Sequence, residues 1–371
     1  MPIARPEGES KGSPRGVTPR GGYAPAVPAS LLIGLAFETP ETYVREAGDP
    51  ADYAAEYEPL ETVEALESAI VAIGHRSVRL GAPHDVLAAI GKGGLPPIDA
   101  ALSIAEGRGS RNREAWVPGL LEMVGVPLLG SDALSLSTSL DKAWTLDRVS
   151  AAGVPVLPYS VLTRGTVEQA VLPADFPLFA KPRWEGTSKG ITAGSRCLDR
   201  AGLIRQVERI EREYGQPAVV EAFASGAEYT VTVIGNDPPR ALPVLQRALE
   251  RDTSIGLHAL ERAGGPPVPP SGYQHSLPGE LDAELERELV DMSLRAYEAL
   301  ECQDFARVDL KLDGKKVPRF LELNTLPTFA PDGSFGILAE LAGRSYADFV
   351  GEILAAGLRR LGLVRGQGAA S

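Results

Sequence analysis

The sequence contains little cysteine and histidine and no long apolar run. Two cysteines among 371 residues exclude a disulfide framework and a cysteine-based zinc site. The four histidines have neither H-E-x-x-H nor any other metal-ligand spacing. The longest apolar stretch, residues 31–37, is far shorter than the ~20 residues that cross a bilayer. A disulfide-rich, zinc-binding or membrane-spanning protein is therefore not expected.

Acidic residues outnumber basic residues, and this limits the expected partners. With 37 Lys and Arg against 49 Asp and Glu, the net charge of −12 argues against a nucleic-acid partner bound by a basic surface. Residues 1–30 include six Pro and five Gly and few aliphatic side chains, so they predict a disordered tail. The tail has no apolar core of the kind found in secretory signals, so a cytoplasmic location is expected.

The pattern after the tail predicts alternating strands and helices. Residues 31–37 are typical of a strand, and apolar side chains every three or four residues over 60–73 predict a helix. Further strands are expected at 77–80 and 98–104, with a short helix between them. This alternation is typical of βαβ units on a parallel sheet. It predicts a first domain over residues 31–141.

The rest of the chain predicts an α+β arrangement with mainly antiparallel strands. Its short apolar runs are joined by glycine-containing turns, which is typical of hairpins. Strands are expected at 155–162, 177–181, 191–197, 218–223, 229–234, 241–246, 305–312 and 318–324, and helices at 136–152, 200–214, 281–300 and 346–361. The Pro- and Gly-rich region 251–279 is predicted to be a functional or disordered loop. The expected fold class is α/β followed by α+β.

Four polar side chains converge in the predicted hairpin of residues 305–324. Side chains alternate between faces in a strand, so Arg307 shares a face with Asp309, and Glu322 with Asn324. The connecting sequence, Asp-Gly-Lys-Lys, predicts a tight turn that pairs the two strands. Hard oxygen ligands in this number suit Mg²⁺ held between protein and nucleotide phosphates. The alternative interpretation is the solvated face of an edge hairpin.

A second segment with potential chemistry follows the strand predicted at 177–181. Lys181 ends that strand and precedes a Gly/Ser/Thr loop, residues 185–190, whose backbone N–H groups can bind phosphate oxygens. The same loop matches G-x-S-x-G, the nucleophile elbow of serine hydrolases, with Ser188 as the nucleophile. That elbow requires a helix after the turn, yet the Ile-Thr-Ala sequence that follows favours a strand. A glycine-rich turn without a ligand is the third interpretation.

Together with Ser-Leu-Asp-Lys at 139–142 and Ala-Gly-Val-Pro at 152–155, these segments resemble the D-alanyl-D-alanine ligase family of ATP-grasp enzymes. The resemblance covers nearly all of the chain between residues 31 and 361, and the 13-residue separation of Asp309 and Glu322 matches the family. It implies an ATP-grasp fold. The implied domains are an N-terminal parallel βαβ domain at 31–141, a central lid domain at 142–228 and a C-terminal domain with the metal site at 229–363.

The resemblance also implies a role for each residue at a matching position. Catalytic roles are implied for Arg307, Thr187 and Ser334, and metal ligation for Asp309, Glu322 and Asn324. Nucleotide binding is implied for Lys142, Lys181, Glu185, Gly186, Ser188, Gly190, Glu221, Ala222, Ala224 and Glu228. The 185–190 loop is expected to be a mobile lid, because its small polar residues leave little to hold it closed without phosphate.

The implied reaction is ATP-dependent formation of a peptide or amide bond between amino-acid-like substrates. A carboxylate attacks the γ-phosphate of ATP to give an acyl phosphate, and an amine then displaces phosphate. The implied cofactors are ATP and two Mg²⁺ ions, with Mn²⁺ as an alternative metal. The expected partners are small molecules, without nucleic acid or membrane, and a homodimer is a further expectation.

Several positions depart from the family pattern where the substrates would bind. The glycine-rich loop after the first strand is missing, so Glu38 is a loose equivalent of the family's substrate-binding Glu. Glu106-Gly107 replaces a His-Gly pair, a Lys-Tyr pair is absent from 251–273, and Thr328 stands where a Gly usually follows Pro. These departures favour a substrate pair other than two D-alanines, in specialised-metabolite or peptide biosynthesis. A nucleotide-binding protein without turnover is the remaining alternative.

Overall fold

The computed structural model describes residues 30–247, 249 and 281–364, which contain three β-sheets. The first sheet is parallel, with strand order β2-β1-β3-β4. Its strands are Leu32–Ala36 (β1), Arg76–Gly81 (β2), Ala100–Ser103 (β3) and Leu128–Leu129 (β4), and its helices are Leu60–Ala72 (α1), Pro83–Gly91 (α2) and Trp116–Met123 (α3). The predicted parallel βαβ arrangement is confirmed.

The second sheet is antiparallel, with strand order β5-β8-β6-β7. Its strands are Tyr159–Leu162 (β5), Leu178–Pro182 (β6), Arg196–Cys197 (β7) and Ala218–Ala222 (β8), with helix Arg200–Tyr214 (α6) before β8. The strand predicted at 155–162 is shorter because Pro155 and Pro158 cannot donate to a ladder. The strand predicted at 191–197 is largely wrong, because Ala193–Ser195 forms a 3-10 turn in front of β7.

The third sheet is antiparallel, with strand order β10-β9-β12-β13, and β11 also pairs with β9. Its strands are Glu228–Ile234 (β9), Arg240–Ala241 (β10), Leu245–Arg247 (β11), Phe305–Leu312 (β12) and Pro318–Asn324 (β13). The single strand predicted at 241–246 is wrong. Pro243 lies between β10 and β11 and has no N–H to donate, so the pairing is interrupted there.

The remaining helices are Ala133–Leu140 (α4), Lys142–Ala151 (α5), Ala283–Ala299 (α7), Ser334–Leu341 (α8) and Tyr346–Arg360 (α9). The single helix predicted at 136–152 is wrong, because the backbone of Asp141 is extended, with φ −82° and ψ 95°. The Asp141 carboxylate accepts a hydrogen bond from Trp144 N at 3.2 Å and thereby caps α5. Helix α8 was not expected from the sequence, and it begins at the predicted site residue Ser334.

An aromatic core connects the first sheet to the third. The rings of Phe329 and Phe335 stack at 4.8 Å between centroids, and Phe305 at the start of β12 meets Phe329 edge-on at 5.1 Å. These side chains belong to one buried cluster with β1, β3, α1 and α9. A second cluster under the third sheet contains Val308 and Phe320. Because side chains alternate along β12, burial of Val308 leaves the opposite face for polar residues.

Some sequence-based expectations concern residues outside the described ranges. The tail before residue 30 and the loop predicted at 251–279 lie outside them. The predicted domain boundaries at 141 and 228 stay predictions. None of the helices in the described ranges is both long and apolar enough to cross a bilayer.

Candidate active site

A cavity of about 680 Å³, a size typical of small-molecule sites, is lined by residues of both antiparallel sheets. Twelve of the predicted site residues line it: Lys181, Thr187, Ser188, Glu221, Ala222, Ala224, Glu228, Arg307, Asp309, Glu322, Asn324 and Ser334. The other four, Lys142, Glu185, Gly186 and Gly190, are not among the lining residues. Lys142 nevertheless lies close to it, with Nζ 3.5 Å from Glu322 Oε2. The structure thus brings together residues that are far apart in the sequence.

The β12–β13 hairpin holds four polar side chains on the cavity face. Arg307 pairs with Asn324 across the strands, and Asp309 pairs with Glu322. Arg307 Nη2 donates to Asp309 Oδ2 at 2.9 Å, and Asn324 Nδ2 lies 3.3 Å from the same oxygen. The predicted shared face is confirmed. The hairpin does lie at the edge of the sheet, since β13 is its last strand, but the alternative of a solvated face is wrong because Asp309 is 6% exposed.

The Arg307–Asp309 pair is charged at neutral pH. Burial raises the pKa of Asp309, but Arg307 and then Arg247 lower it more strongly, to about 2. Burial lowers the pKa of the Arg307 guanidinium, while the neighbouring Asp309 carboxylate raises it above its ordinary value. Asp309 therefore presents an anionic oxygen to the cavity throughout the physiological pH range.

A second buried ion pair faces the cavity from the second sheet, β5-β8-β6-β7, called the central sheet below. Lys181 Nζ on β6 lies 2.9 Å from Glu221 Oε2 on β8, and the two side chains are 6% and 2% exposed. Burial lowers the pKa of Lys181, but Glu221 raises it above its ordinary value, so the ammonium is charged. The other oxygen of Glu221 is buried without a hydrogen-bond partner among the described residues. An unsatisfied acceptor beside a charged ammonium suits a polar ligand such as a nucleotide.

The oxygens on the hairpin fit Mg²⁺ in their chemistry. Asp309 and Glu322 supply carboxylates from neighbouring strands, and Asn324 supplies an amide oxygen. Mg²⁺ sites usually take one or two carboxylates and complete their octahedron with water and phosphate oxygens. Within the described ranges, no group of three His, Cys, Asp or Glu side chains could hold a metal ion. A cation held here would therefore depend on the oxygens of a bound ligand.

The 185–190 loop adopts a strained backbone at the cavity. Thr187 and Ser188 have φ angles of 49° and 59°, in the left-handed region that favours glycine. The expectation that little holds this loop is wrong, because Gly186 N donates to Glu56 at 2.6 Å and Gly190 N donates to Asp52 at 2.7 Å. Whether the loop moves when nucleotide binds stays a prediction.

The nucleophile-elbow interpretation of Ser188 is not supported. The residues after the loop form a 3-10 turn and then β7, whereas an elbow requires a helix at that point. Among the described residues that line the cavity there is no histidine to act as a base. A serine hydrolase is therefore wrong as a description of this loop.

Sequence reasoning missed several residues of the cavity. Glu56, Tyr57 and Glu58 line it from the connection between β1 and α1, and Arg247 lines it at the end of β11. The acidic composition of that connection was the available signal, but no spacing within it distinguishes a site residue from a solvated one. Glu38 is not among the residues that line the cavity, and its Oε2 accepts a hydrogen bond from the backbone N of Gly107 at 2.7 Å. The loose equivalence of Glu38 with the family's substrate-binding Glu stays a prediction.

Buried acidic residues surround Arg113 behind the loop. Arg113 donates to Glu56, and its Nη2 lies 3.9 Å from both Glu114 Oε1 and Glu185 Oε2. Burial raises the pKa of Glu114, Arg113 lowers it and Glu56 raises it, and the result is a pKa of about 7. Glu114 therefore takes up a proton as the pH falls below neutral.

This raised pKa predicts a pH-dependent stability. The ordinary pKa of Glu114 is 4.5 and its folded pKa is about 7, so the folded state binds more protons between these values. The stability that the folded protein gains from protonation of Glu114 is therefore lost as the pH rises through this range. We therefore expect the free energy of unfolding of Glu114→Gln, relative to that of wild type, to rise by about 2 kcal/mol from pH 5 to pH 8. Urea unfolding at both pH values measures this difference, and Glu122→Gln, at an exposed position, is the control. An equal effect of Glu114→Gln at both pH values contradicts the raised pKa of Glu114.

Two antiparallel sheets that enclose a cavity with paired lysine, arginine and carboxylate side chains are the arrangement of the ATP-grasp fold, and solved structures have the same fold. VanG D-Ala:D-Ser ligase from Enterococcus faecalis gives a TM-score of 0.65 at 18% identity, over 88% of this chain and 99% of that one. D-alanine–D-alanine ligase from Bacillus anthracis complexed with ATP gives 0.63 at 22% identity, over 89% and 98%. The predicted ATP-grasp fold is confirmed.

Sequence comparison identifies the family within this class. The sequence model described as D-ala D-ala ligase C-terminus matches residues 149–355. The D-alanine–D-alanine ligase of Desulforudis audaxviator is 30% identical over 294 residues, which are 78% of this chain and 90% of that protein. The chain belongs to the D-alanine–D-alanine ligase family. It is an ATP-dependent ligase that forms a carbon–nitrogen bond, as the sequence resemblance implied, and its family acts on small amino-acid substrates.

Proposed function

We propose that the cavity joins the carboxylate of one amino-acid-like molecule to the amine of another while ATP is converted to ADP and phosphate. The observation that carries this proposal is the shared face of Arg307, Asp309, Glu322 and Asn324 in one cavity with Lys181. Phosphoryl transfer depends on positioning and on neutralisation of charge, and these side chains provide both.

Each predicted site residue has a place in this proposal. Asp309, Glu322 and Asn324 would hold Mg²⁺, two ions in all, with Mn²⁺ as the alternative metal. When bound, the metal neutralises charge on the nucleotide phosphates. Lys142, Lys181 and Ser188 bind the phosphates, and Glu221, Ala222, Ala224 and Glu228 bind the base and ribose. The resemblance also implied nucleotide binding for Glu185, Gly186 and Gly190, but these residues do not line the cavity, and the N–H groups of Gly186 and Gly190 already donate to Glu56 and Asp52. In this proposal they shape the loop that covers the phosphates.

The remaining roles belong to the acid substrate and its activated form. Arg307 stabilises the negative charge on the transferring phosphoryl group and then the oxyanion that forms when the amine attacks. Thr187 and Ser334, which both line the cavity, position the substrates. The 185–190 loop excludes water, because an acyl phosphate that meets water is hydrolysed instead of joined to the amine.

The rival function is nucleotide binding without turnover. Such a protein is expected to lack a metal ligand or the oxyanion arginine, and this chain retains Arg307, Asp309, Glu322 and Asn324. The retained residues therefore agree with the ligase activity of the family and speak against this alternative. The cytoplasmic location and the homodimer expected from the sequence remain predictions.

We expect D-alanine paired with itself to be a poor substrate pair. Tyr57 and Glu58 line the cavity on the side of the loop, and Thr328 and Asp332 line it near Ser334. Polar pocket groups left unpaired by the wrong substrate reduce kcat/KM by about 10⁴-fold, so such a pocket discriminates strongly. A screen of amino-acid pairs for ADP release, with mass spectrometry of the product, measures the preference.

The screen tests both the proposed substrate preference and the ligation of amino-acid-like substrates. A kcat/KM of ~10⁴ M⁻¹s⁻¹ or more for D-alanine dimer formation, with no better pair, contradicts the proposed substrate preference. ADP release without a joined product for every pair contradicts ligation of amino-acid-like substrates by this cavity. Selective ligation of another pair supports both the substrate preference and the ligation of amino-acid-like substrates.

A further inference from the structure

The connection between β1 and α1 supplies both carboxylates that hold the 185–190 loop. Glu56 Oε1 accepts from Gly186 N at 2.6 Å, and Glu56 Oε2 lies 3.1 Å from Lys189 Nζ. Asp52 Oδ2 accepts from Gly190 N at 2.7 Å. The two carboxylates therefore hold opposite ends of the loop, and both come from one short stretch of the N-terminal part of the chain.

The backbone between these two ends is strained. Thr187 and Ser188 both have positive φ angles, and a non-glycine residue in such a region costs about 1–3 kcal/mol. Thr187 is β-branched, which makes its left-handed backbone still less favourable. Such a conformation persists only when its surroundings determine it, and the bonds to Gly186 and Gly190 do so directly on either side.

The carboxylate of Glu56 is fully committed to this contact. Its side chain is 3% exposed, and Arg113, whose side chain is 4% exposed, donates to it from behind. Burial raises the pKa of Glu56, but Arg113 and Lys189 lower it further than burial raises it, to about 2. Arg113 also donates to the backbone oxygen of Trp184 at 2.6 Å, immediately before the loop. A buried anion between two cations thus fixes the loop and the chain that leads into it.

Asp52 is held from its other side as well. Tyr214 at the end of α6 donates its hydroxyl to the Asp52 carboxylate, with distances of 2.8 and 3.0 Å to the two oxygens. Gly190, the loop residue that Asp52 binds, has φ +79°, and a Cβ there would lie 2.4 Å from Pro182 Cγ at the end of β6. Asp52 therefore fixes the point at which the loop returns against the central sheet.

We propose that Asp52 and Glu56 are positioning residues that hold the 185–190 loop over the cavity. They place Thr187 and Ser188 at the reacting groups and keep water from the acyl phosphate. This inference rests on the proposed ligase reaction for its catalytic consequence, but the loop contact itself exists without substrates. The contact forms within this chain and needs no additional ligand.

Hydrogen exchange of the free protein tests the contact by itself. Asp52→Asn keeps an oxygen acceptor for Gly190 N, whereas Asp52→Ala removes it. We expect amides of the loop peptide to exchange about tenfold faster in Asp52→Ala and at nearly the wild-type rate in Asp52→Asn. Glu56→Gln also keeps an acceptor oxygen but removes the anion between Arg113 and Lys189, so we expect about tenfold faster exchange in this variant as well. Glu67→Gln, which removes an exposed carboxylate paired with Arg79, is the matched control. Unchanged exchange in Asp52→Ala overturns the inference, even if the Glu56 variant fails to fold.

The ratio of phosphate released to product joined tests the catalytic consequence. With the best pair from the substrate screen, we expect this ratio to be near one in wild type and Asp52→Asn. It should rise severalfold in Asp52→Ala and Glu56→Gln, because a loosened loop admits water to the acyl phosphate. A purely structural role lowers the amount of active enzyme and leaves the ratio unchanged, and that result overturns the positioning role. Faster exchange in a protein that joins no pair supports the loop contact and contradicts the proposed function instead.

Discussion

Replacing Asp309 by Asn is expected to lower the rate of ADP formation at least a thousandfold while the protein stays folded. The substitution keeps the size of the side chain but removes the anionic oxygen that faces Glu322 across the hairpin. Metal ions supply several kcal/mol of charge stabilisation in phosphoryl transfer, and 1.36 kcal/mol is tenfold in rate. Glu322→Gln should have a similar effect for the same reason. Steady-state ADP release at saturating Mg²⁺ measures both.

Asp313→Asn is the matched control for this loss. Asp313 belongs to the turn of the same hairpin, where it accepts from Arg319 Nε at 3.0 Å and from Lys315 N at 2.8 Å. It does not line the cavity. We expect the control variant to lose some stability and to keep its turnover. Turnover near the wild-type value in Asp309→Asn would show that the carboxylate is not a metal ligand.

Substituting Arg307 by Lys is expected to reduce kcat by about 10²–10⁴-fold, with little change in KM for ATP. The guanidinium is planar and makes several directed contacts to Asp309, with Nε at 3.2 Å and Nη2 at 2.9 Å from its oxygens. Lysine keeps the charge that the buried Asp309 needs but lacks this geometry. An arginine that stabilises a transferring phosphoryl group contributes about 10³–10⁵ to kcat.

The distribution of the effect between kcat and KM distinguishes the possible roles of Arg307. A loss in kcat alone means that the guanidinium acts in the transition state, whereas a rise in KM alone means that it binds substrate uniformly. Arg319→Lys is the control for removing a guanidinium from the hairpin, because Arg319 on β13 pairs with Asp313 in the turn of the same hairpin. An unchanged kcat with a raised KM for ATP would contradict the proposed oxyanion role.

The elements that the sequence predicted well are those with a strong local pattern. The β12–β13 hairpin combines alternating side chains with an Asp-Gly turn, and its pairing places Arg307, Asp309, Glu322 and Asn324 as expected. The parallel sheet was predictable from the alternation of strand and helix patterns. Helices α7 and α9 were predictable from their apolar stripes.

The errors fall where a tertiary contact outweighs the local pattern. Asp141 lies inside a continuous helical pattern, yet its buried carboxylate accepts from Arg183 Nε at 2.7 Å and from the Trp184 indole at 2.9 Å. These contacts, together with the cap on Trp144 N, favour an extended backbone at Asp141 over a continuous helix. The partners are more than forty residues away in sequence, so no periodicity reveals them.

The sequence by itself determined the chemistry of the cavity, whereas the tertiary structure decided which side chains shape it. Side-chain alternation and turn formation act over a few residues, and they suffice to place Arg307 and Asp309 on one face. The contact between Glu56 and Gly186 spans 130 residues of chain. Its formation depends on how the first sheet packs beside the central sheet, because a carboxylate in an acidic connection is equally suited to solvent until that packing buries it. Only the folded chain therefore distinguishes Glu56 from the other acidic residues around it.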